Sequence, residues 1–348
     1  MPVHHLSSDE LMAESRPGSP LARLIPPGGG TVVVIPADDP PHDPLHDPPH
    51  DPLQTVHSGL SAVIVGVTSG SSDHAPADMP AAPWCDVVVP DGSDELEEIV
   101  AHVESTPLAA TALAILLRGA ESRSLEEGLL VESACYSTLQ AGPEFARWRA
   151  SRPPRRRDRT TGDVVRIVRS GDELEIVLDR PAVRNALDAQ LRDALLDALS
   201  IAVADPGIST VHLRGNGPDY SSGGDLDEFG TFPDPATAHL VRLTASIGRV
   251  LAELADRVVV HLHGACFGSG IELPAFVTRV VATPDARFAL PELTLGLVPG
   301  AGGTVSLPRR IGRHRTAQLA LTGQTIDVGT ALDWGLVDQI DHAALPQL

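Results

Sequence analysis

The stretch "GACFGSGIELPAF", residues 264–276, has the pattern of a glycine-rich loop that opens a short helix. Three glycines and Ser269 come directly before an apolar run, and Glu272 stands inside that run. A buried, unpaired carboxylate costs several kcal/mol or undergoes a large pKa shift. The amides at the start of such a helix have no helical acceptor and face the same point as the positive end of the helix dipole. The stretch therefore indicates a functional carboxylate beside a backbone anion site.

A second glycine loop, "YSSGGDLDEF" at 220–229, follows a predicted strand at 209–214. Glycine allows a ligand to approach the backbone closely, so the amides around Gly223 and Gly224 are candidates for binding one. A simple tight turn is the alternative interpretation of this loop alone. Together, the two loops could supply two amide donors to one developing oxyanion.

A second carboxylate in apolar surroundings, Glu292, lies in "FALPELTLGLVPGAGGT" at 288–304. Burial raises the pKa of a glutamate toward neutrality, which suits a general acid or base. Glu272 and Glu292 are therefore predicted to form an acid/base pair near the oxyanion site. For either residue alone, a helix cap or a salt bridge to arginine is an equal alternative.

The composition of the 348-residue chain excludes several kinds of chemistry. The chain carries 46 Asp and Glu against 26 Lys and Arg, a formal net charge of −20, and all 26 cations are arginine. A chain without lysine cannot form a lysine Schiff base or complete a P-loop. The acidic balance also argues against a nucleic-acid surface.

The cysteines and the hydropathy predict a cytoplasmic protein that binds neither metal nor membrane. Cys85, Cys135 and Cys266 lie far apart without a CxxC pair, so neither a disulfide framework nor a zinc site is indicated. No targeting signal is evident, and no stretch reaches the roughly 18 apolar residues of a membrane span. The most apolar run, 107–117, is predicted to be a buried helix.

The first half of the chain predicts a small α/β domain of unknown role. It has strands near 31–35, 61–68 and 85–90 and helices near 93–104, 107–119 and 124–141. Tyr136, Phe145 and Trp148 are interpreted as core residues rather than as a ligand box. The His-Asp-Pro repeat is interpreted as an extended loop rather than a metal site, because its prolines prevent a helix. The predicted boundaries are a flexible tail at 1–30, the domain at 31–150 with the His-Asp-Pro loop at 40–54, and an Arg/Pro linker at 151–162.

The second half, 163–343, alternates strands and helices, which predicts a sheet with crossover connections. Strands at 164–168 and 174–178 flank the turn "SGDE", and further strands are expected at 209–214, 257–263 and 279–283. Helices are expected after 187 and near 236–255. A cluster of arginines is interpreted mainly as a solvated helix face, with the phosphates of a ligand as the alternative partner: Arg309, Arg310, Arg313 and Arg315.

Four stretches in this order resemble the crotonase, or enoyl-CoA hydratase/isomerase, superfamily over about 160–343. They are "RPAVRNAL" at 180–187, "SGGDL" within 220–229, "HGACFGSGIEL" ending at 273, and "PELTLGLVPGAGGT" ending at 304, followed by "LTGQTIDVGTALDWGLVD". The resemblance implies an α/β fold with a crotonase-like ββα superhelix core, preceded by the small α/β domain. Relatives continue past the last motif with helices that cover the CoA and help to build a trimer, so a shortened C-terminus is expected.

The resemblance also implies roles for individual residues. The amides of Gly224 and Ser269 would polarise the thioester carbonyl of an acyl-CoA, and Glu272 and Glu292 would hold the water. The substrate itself carries the CoA, no other cofactor or metal is implied, and the expected assembly is a homo-oligomer, a trimer or hexamer. Further substrate-binding residues are expected at Ala186, Ser222, Gly223, Asp225, Leu226 and Gly268.

Other enzyme classes fit the sequence poorly. The dehydrogenase pattern GxGxxG is absent from 264–272, and Phe267 and Ile271 stand where a GxSxG hydrolase needs glycine. Within the superfamily, hydration of a 2-enoyl-CoA uses both glutamates and is favoured over isomerisation. The alternatives are a cofactor-independent arylacetyl-CoA oxygenase-like member and a non-catalytic homologue that binds acyl-CoA or a partner.

Overall fold

The chain forms an α/β structure with three sheets in a computed structural model that describes residues 3–14, 31–38, 61–69, 82–155 and 162–342. The fold class agrees with the prediction. The His-Asp-Pro segment 40–54 lies outside the described residues, as do 156–161 of the predicted linker.

The N-terminal sheet has four parallel strands in the order β1-β2-β3-β4. Three of them are the predicted apolar runs, whose continuous valine and isoleucine content suits strands covered on both faces. Their bounds are β2 Val32–Pro36, β3 Val63–Thr68 and β4 Val87–Pro90.

The prediction of a flexible tail over 1–30 is wrong for residues 3–14. Strand β1, Val3–His5, pairs with β2, and helix Ser8–Glu14 follows it. The polar residues misled the prediction, because β1 is held by backbone pairing with β2, and the helix after it by a single large apolar side chain, Leu11, which is 1% exposed.

The second sheet has six strands in the order β13-β10-β8-β7-β6-β5, and all neighbours except β5 and β6 are parallel. Strands β5 and β6 form the predicted hairpin, which turns at Gly171 with φ of 64°. The bounds are β5 Val165–Ser170, β6 Glu173–Leu178, β7 Thr210–Gly215, β8 Val258–Leu262, β10 Arg279–Ala282 and β13 Gln339–Ile340. A third, small sheet joins β9 Ala265–Phe267, β11 Arg287–Ala289 and β12 Ile326–Asp327.

The helix predicted near 236–255 is two helices rather than one. It breaks because the Ser246 side chain accepts a hydrogen bond from the Arg249 amide and caps the second helix. The described helices of the second half are Ala189–Ala204, Pro235–Thr244, Ile247–Glu253, Ser269–Glu272, Gly303–Ile311, Arg313–Thr322 and Val328–Asp333. Those of the first half, after Ser8–Glu14, are Glu95–Ser105, Pro107–Arg118, Leu125–Gln140 and Pro143–Ser151.

One hydrophobic core joins the two halves of the chain. Leu113 and Phe145 of the first half belong to the same cluster of buried side chains as Leu293 of the second. Arg149 donates a 2.9 Å hydrogen bond to the carbonyl oxygen of Leu226. Arg313 is 6% exposed and donates a 2.6 Å hydrogen bond to the carbonyl oxygen of Cys85, so the solvated helix face is wrong for this residue.

Deleting residues 1–150 is expected to expose this shared core. The fragment 151–348 would leave the second-half side chains of the cluster in water, and buried apolar surface is the main stabilising contribution to folding. We expect the fragment to be poorly soluble or to melt well below the full chain, measured by size-exclusion chromatography and thermal unfolding. A monodisperse fragment with an unchanged Tm would contradict this.

Within the described ranges, no single helix has the length and hydropathy to cross a membrane. The pair Glu95–Ser105 and Pro107–Arg118 satisfies both criteria only together, and it is bent by 115° between the two helices.

Candidate active site

Two glycine loops meet beside the third sheet, as the sequence predicted. The Ser221 amide donates a 3.1 Å hydrogen bond to the Ala265 carbonyl, and the Phe267 amide donates one of the same length to the Ser221 carbonyl. A Cβ at Gly223 would lie 2.9 Å from the Phe267 carbonyl oxygen. Only glycine therefore allows the loops to approach so closely.

The two predicted oxyanion donors have free amides. Gly224 pairs with Leu187 in an isolated β-bridge, but the residues on either side of Gly224 make its hydrogen bonds. The Leu187 amide donates to the Gly223 carbonyl, and the Asp225 amide donates to the Leu187 carbonyl. Ser269 is the first residue of a helix, where amides have no helical acceptor. Among the described residues, no backbone oxygen accepts a hydrogen bond from either amide.

A cavity of about 160 Å³ brings these donors together with both predicted glutamates. Gly224, Ser269, Glu272 and Glu292 all line it. The remaining lining residues come from both halves of the chain and include aromatic, polar, aliphatic and glycine residues: Tyr136, Gln140, Leu187, Glu228, Phe229, Gly230, Phe232, Arg242, Gly300 and Ala301.

Glu272 is buried, with 2% exposure, and is held by the loop that precedes helix Gly303–Ile311. Its Oε2 accepts hydrogen bonds from the amides of Ala301 at 2.7 Å and Gly303 at 2.9 Å. A Cβ at Gly303 would lie 2.6 Å from the Glu272 Cγ. Burial raises the pKa of Glu272 to about 7, although the amide donors oppose the shift by stabilising the carboxylate.

Glu292 presents an unsatisfied oxygen. It is 9% exposed, and its Oε2 is buried without a hydrogen-bond partner among the described residues. Burial, reinforced by the nearby Glu272 carboxyl, raises the pKa of Glu292 well above its usual range. A buried carboxyl with a raised pKa and a free oxygen is suited to donate or accept a proton.

These shifts predict that the protein loses stability as the pH rises. The folded pKa of Glu272, about 7, lies above the ordinary value of 4.5, so the folded state binds this proton more tightly. The stabilisation is complete below about pH 4.5 and is lost as the pH rises through about 7; Glu292 acts in the same direction. Between about pH 5 and about pH 8, we expect the free energy of unfolding to fall by on the order of 1–3 kcal/mol through Glu272.

Chemical denaturation at the two pH values measures this fall. Glu272→Gln is the comparison variant, because a carboxamide does not titrate and its stability should fall less. A free energy of unfolding that changes with pH in the same way in Glu272→Gln and in the wild type would contradict the raised pKa of Glu272.

The six other predicted substrate-binding residues do not line the cavity. Gly223 and Gly268 lie behind it, where a Cβ at Gly268 would be 2.4 Å from the Glu292 Oε1. Ala186 and Asp225 are buried, and Ser222 and Leu226 are partly exposed. Their contact with substrate stays a prediction.

The sequence analysis did not predict that three further residues belong to the site: Glu132, Tyr136 and Arg242. Glu132 and Tyr136 come from the first half of the chain, and Arg242 of the second half contacts Tyr136. The predicted packing of Tyr136 is confirmed by an edge-to-face contact with Phe229, with ring centroids 6.5 Å apart, but Tyr136 also lines the cavity. Arg242 stacks on the Tyr136 ring at 4.5 Å. Glu132 could have been found, because it lies at helical spacing between buried Leu129 and Tyr136, the same signal that singled out Glu272.

A second cavity of about 110 Å³ adjoins the first. The two share Leu187, Arg242, Gly300 and Ala301. Guanidinium groups of Arg192, Arg242 and Arg249 contribute to its wall. Arg242 donates hydrogen bonds to the hydroxyls of Ser133 and Ser137 and to the Ser133 carbonyl, and none of the described carboxylates forms an ion pair with it.

Two buried carboxyls and two amides without a backbone acceptor line one cavity of an α/β fold, an arrangement that is chemically able to support proton transfer beside a bound anion. A family model described as Enoyl-CoA hydratase/isomerase matches residues 172–345, half of the chain. The chain belongs to the enoyl-CoA hydratase/isomerase family, which confirms the crotonase resemblance.

Individual relatives cover the same half. The chain is 35% identical to 2,3-dehydroadipyl-CoA hydratase of Escherichia coli K12 over 167 residues, 48% of this chain and 65% of the relative. It is 33% identical to a probable enoyl-CoA hydratase of Bacillus subtilis over 157 residues, 44% of this chain and 60% of the relative. The chain thus spans less than two thirds of these relatives. An enoyl-CoA hydratase structure from Thermoplasma volcanium matches with 33% identity and a TM-score of 0.49, over 52% of this chain and 72% of that chain.

Proposed function

We propose that the protein adds water across, or shifts, the double bond of an enoyl-CoA thioester. The observation that carries the proposal is the free Oε2 of Glu292, buried in the wall of the cavity that also holds Glu272 and the free amides of Gly224 and Ser269. A buried polar atom without a partner is costly unless a ligand or water satisfies it.

In this mechanism, the thioester oxygen binds the Gly224 and Ser269 amides. As the oxygen of water bonds to the β-carbon, the electron pair of the double bond moves toward the thioester oxygen and gives an enolate. Two fixed donors stabilise that developing charge, and each donor in such a site contributes roughly 3–4 kcal/mol. Because no backbone oxygen of the described residues accepts a hydrogen bond from these two amides, they are available to stabilise this charge.

The two glutamates take opposite roles in the proton transfers. Glu272, whose carboxylate is stabilised by two amide donors, accepts the proton that water loses. Glu292, with the more strongly raised pKa, gives its proton to the α-carbon. Glu272 takes one proton and Glu292 gives one, so the net reaction is the addition of one water molecule. A proton that passes from Glu272 to Glu292 restores the protonation states of both residues. No redox step occurs and no cofactor beyond the CoA of the substrate is required.

Crotonyl-CoA hydration by the purified protein tests the proposal. We expect turnover by the wild type and a loss of at least about 100-fold in Glu272→Ala and Glu292→Ala. The wild-type kcat/KM should rise with pH through about 7 as Glu272 ionises. Full activity in both variants would contradict the assigned roles.

Mass spectrometry of a panel of acyl-CoA thioesters separates the alternatives. A gain of one water supports hydration, an unchanged mass with a moved double bond supports isomerisation, and incorporation of oxygen from O₂ supports an arylacetyl-CoA oxygenase-like member. Binding without turnover would support a non-catalytic acyl-CoA-binding homologue, and a lack of binding to every thioester would favour a partner-binding role.

The panel should include a thioester with a terminal carboxylate. Arg242 lies in the wall shared by the two cavities and forms no ion pair with a carboxylate in the described part of the chain. The Escherichia coli relative is named for a dehydroadipyl-CoA substrate, whose acyl chain ends in a carboxylate. A guanidinium binds such a group through two parallel hydrogen bonds, so a dicarboxylic enoyl-CoA is a rational test substrate.

A further inference from the structure

The turn that holds Glu272 is bound by two carboxylates in alternation. Its successive amides, from Ala301 to Thr304, donate in turn to Glu272 and to Glu132. The Gly302 amide lies 2.7 Å from the Glu132 Oε1, and the Thr304 amide lies 2.8 Å from the Glu132 Oε2. The Thr304 hydroxyl donates a third hydrogen bond to Glu132, at 2.7 Å.

Glu132 belongs to helix Leu125–Gln140, which precedes the residues matched by the family model. The helix packs closely against the turn and the helix that follows it. A Cβ at Gly300 would lie 2.4 Å from the Tyr136 ring, and a Cβ at Gly128 would lie 2.9 Å from a methyl group of Val305. The first half of the chain is therefore part of the wall behind Glu272.

We propose that Glu132 is a positioning residue: it holds the 300–304 turn in the conformation whose Ala301 and Gly303 amides bind the Glu272 carboxylate. The inference rests on the proposed function, in which Glu272 accepts a proton from water. Glu132 itself does not need to contact the substrate.

The geometry accounts for the need for a second carboxylate. Successive amides of this turn point to opposite sides, so only every second amide can donate to Glu272. The amides between them point away from Glu272 and donate to Glu132. Amides on the far side would be buried without an acceptor if Glu132 were absent, which would destabilise this conformation of the turn. A rearrangement that satisfied them would also move the amides of Ala301 and Gly303.

The groups around Glu132 fix the expected pH effect. Glu272 and Glu292 are the carboxyls that interact with it, Arg242 faces it from helix Pro235–Thr244, and Cys135 is its neighbour on its own helix. Burial and the Glu272 charge raise the pKa of Glu132 to about 8. The pKa of Glu272 in turn depends on the amides that stabilise its carboxylate.

The test compares Glu132→Gln with the wild type. Gln keeps the size of the side chain, but its NH₂ group cannot accept a hydrogen bond, so at least one of the three groups that donate to Glu132 loses its acceptor. We expect kcat for crotonyl-CoA to fall by about 10- to 100-fold through misplacement of Glu272, with KM changed less than about threefold. The acidic limb of the kcat/KM profile should move to higher pH, because a carboxylate that loses amide donors has a higher pKa.

Three further measurements make the result decisive. Thr304→Val removes only the hydroxyl donor and should shift the limb in the same direction by less. Glu97→Gln, the same substitution at an exposed glutamate of the first half, should behave like the wild type. The pKa of Glu272, followed by NMR of ¹³C-labelled glutamate, should rise in Glu132→Gln whether or not a thioester is turned over.

The outcomes separate the two proposals. A wild type that neither hydrates nor isomerises any enoyl-CoA, with a Glu272 pKa that still rises in Glu132→Gln, contradicts the proposed function and supports the positioning role. An active wild type with an unchanged Glu272 pKa and limb in Glu132→Gln overturns the positioning role, even if that variant has a lower Tm.

Discussion

Glu292→Gln is expected to lower kcat for enoyl-CoA hydration by about 100- to 10,000-fold, the usual contribution of a general acid or base. The carboxamide keeps the shape of the side chain but cannot give a proton to the α-carbon. KM should change little, because the thioester oxygen is bound by the Gly224 and Ser269 amides. Steady-state kinetics near pH 7 measure both constants.

Stability distinguishes this loss from misfolding. A neutral carboxamide does not have to ionise in a buried site, so Glu292→Gln should unfold at the same or a higher temperature than the wild type near pH 8, where the raised pKa of Glu292 makes ionisation costly. Glu97→Gln provides the matched control with unchanged kinetics. A kcat within about twofold of the wild type would remove Glu292 from the mechanism.

Gly268→Ala is expected to abolish most activity through contact with Glu292. Gly268 has φ of 50° and ψ of −121°, a conformation that side chains with a Cβ rarely adopt, and the new Cβ would lie 2.4 Å from the Glu292 Oε1. The carboxyl must move, and a displacement of about 1 Å at a reacting group costs on the order of 100-fold in rate. We expect at least that loss in kcat, together with a lower Tm.

Gly171→Ala is the matched control for this prediction. Gly171 also has a positive φ, 64°, but its Cβ would meet no atom within 4 Å. This variant should have the backbone strain, about 1–3 kcal/mol, without a loss of kcat. Equal losses of activity in both variants would show that backbone strain, rather than the Glu292 contact, explains the effect of Gly268→Ala.

Local patterns were sufficient to predict most of the second half of the chain. Alternating apolar residues around "SGDE" predicted the β5–β6 hairpin, and the apolar runs around Glu272 and Glu292 predicted that both carboxyls are buried. These two features could be predicted because each depends on neighbours in sequence. The roles of Gly224 and Ser269 were implied by the family resemblance and stay predictions. The helix break at Ser246 was not predicted, because a serine among helically spaced apolar residues also occurs inside helices. Only the hydrogen bond from the Arg249 amide to the Ser246 side chain shows that a new helix begins there.

The contribution of the first half to the site could not be predicted from local patterns. Helical spacing indicates that Glu132 is buried, but it contains no information about the partners, which are the amides of Gly302 and Thr304 some 170 residues away. The same holds for Arg313, whose buried guanidinium donates to the Cys85 carbonyl. Partners that are distant in sequence are determined by packing of the whole chain.

The shared core has a consequence for the covalent link between the halves. Helix Pro143–Ser151 and strand Val165–Ser170 are joined through the Arg/Pro segment, while the contacts of Glu132, Arg149 and Arg313 across the two halves are all noncovalent. A cut between residues 155 and 162 would break none of these contacts. The two fragments should therefore complement one another when co-expressed, which would make the protein suitable for a split-protein reporter whose signal depends on reassembly.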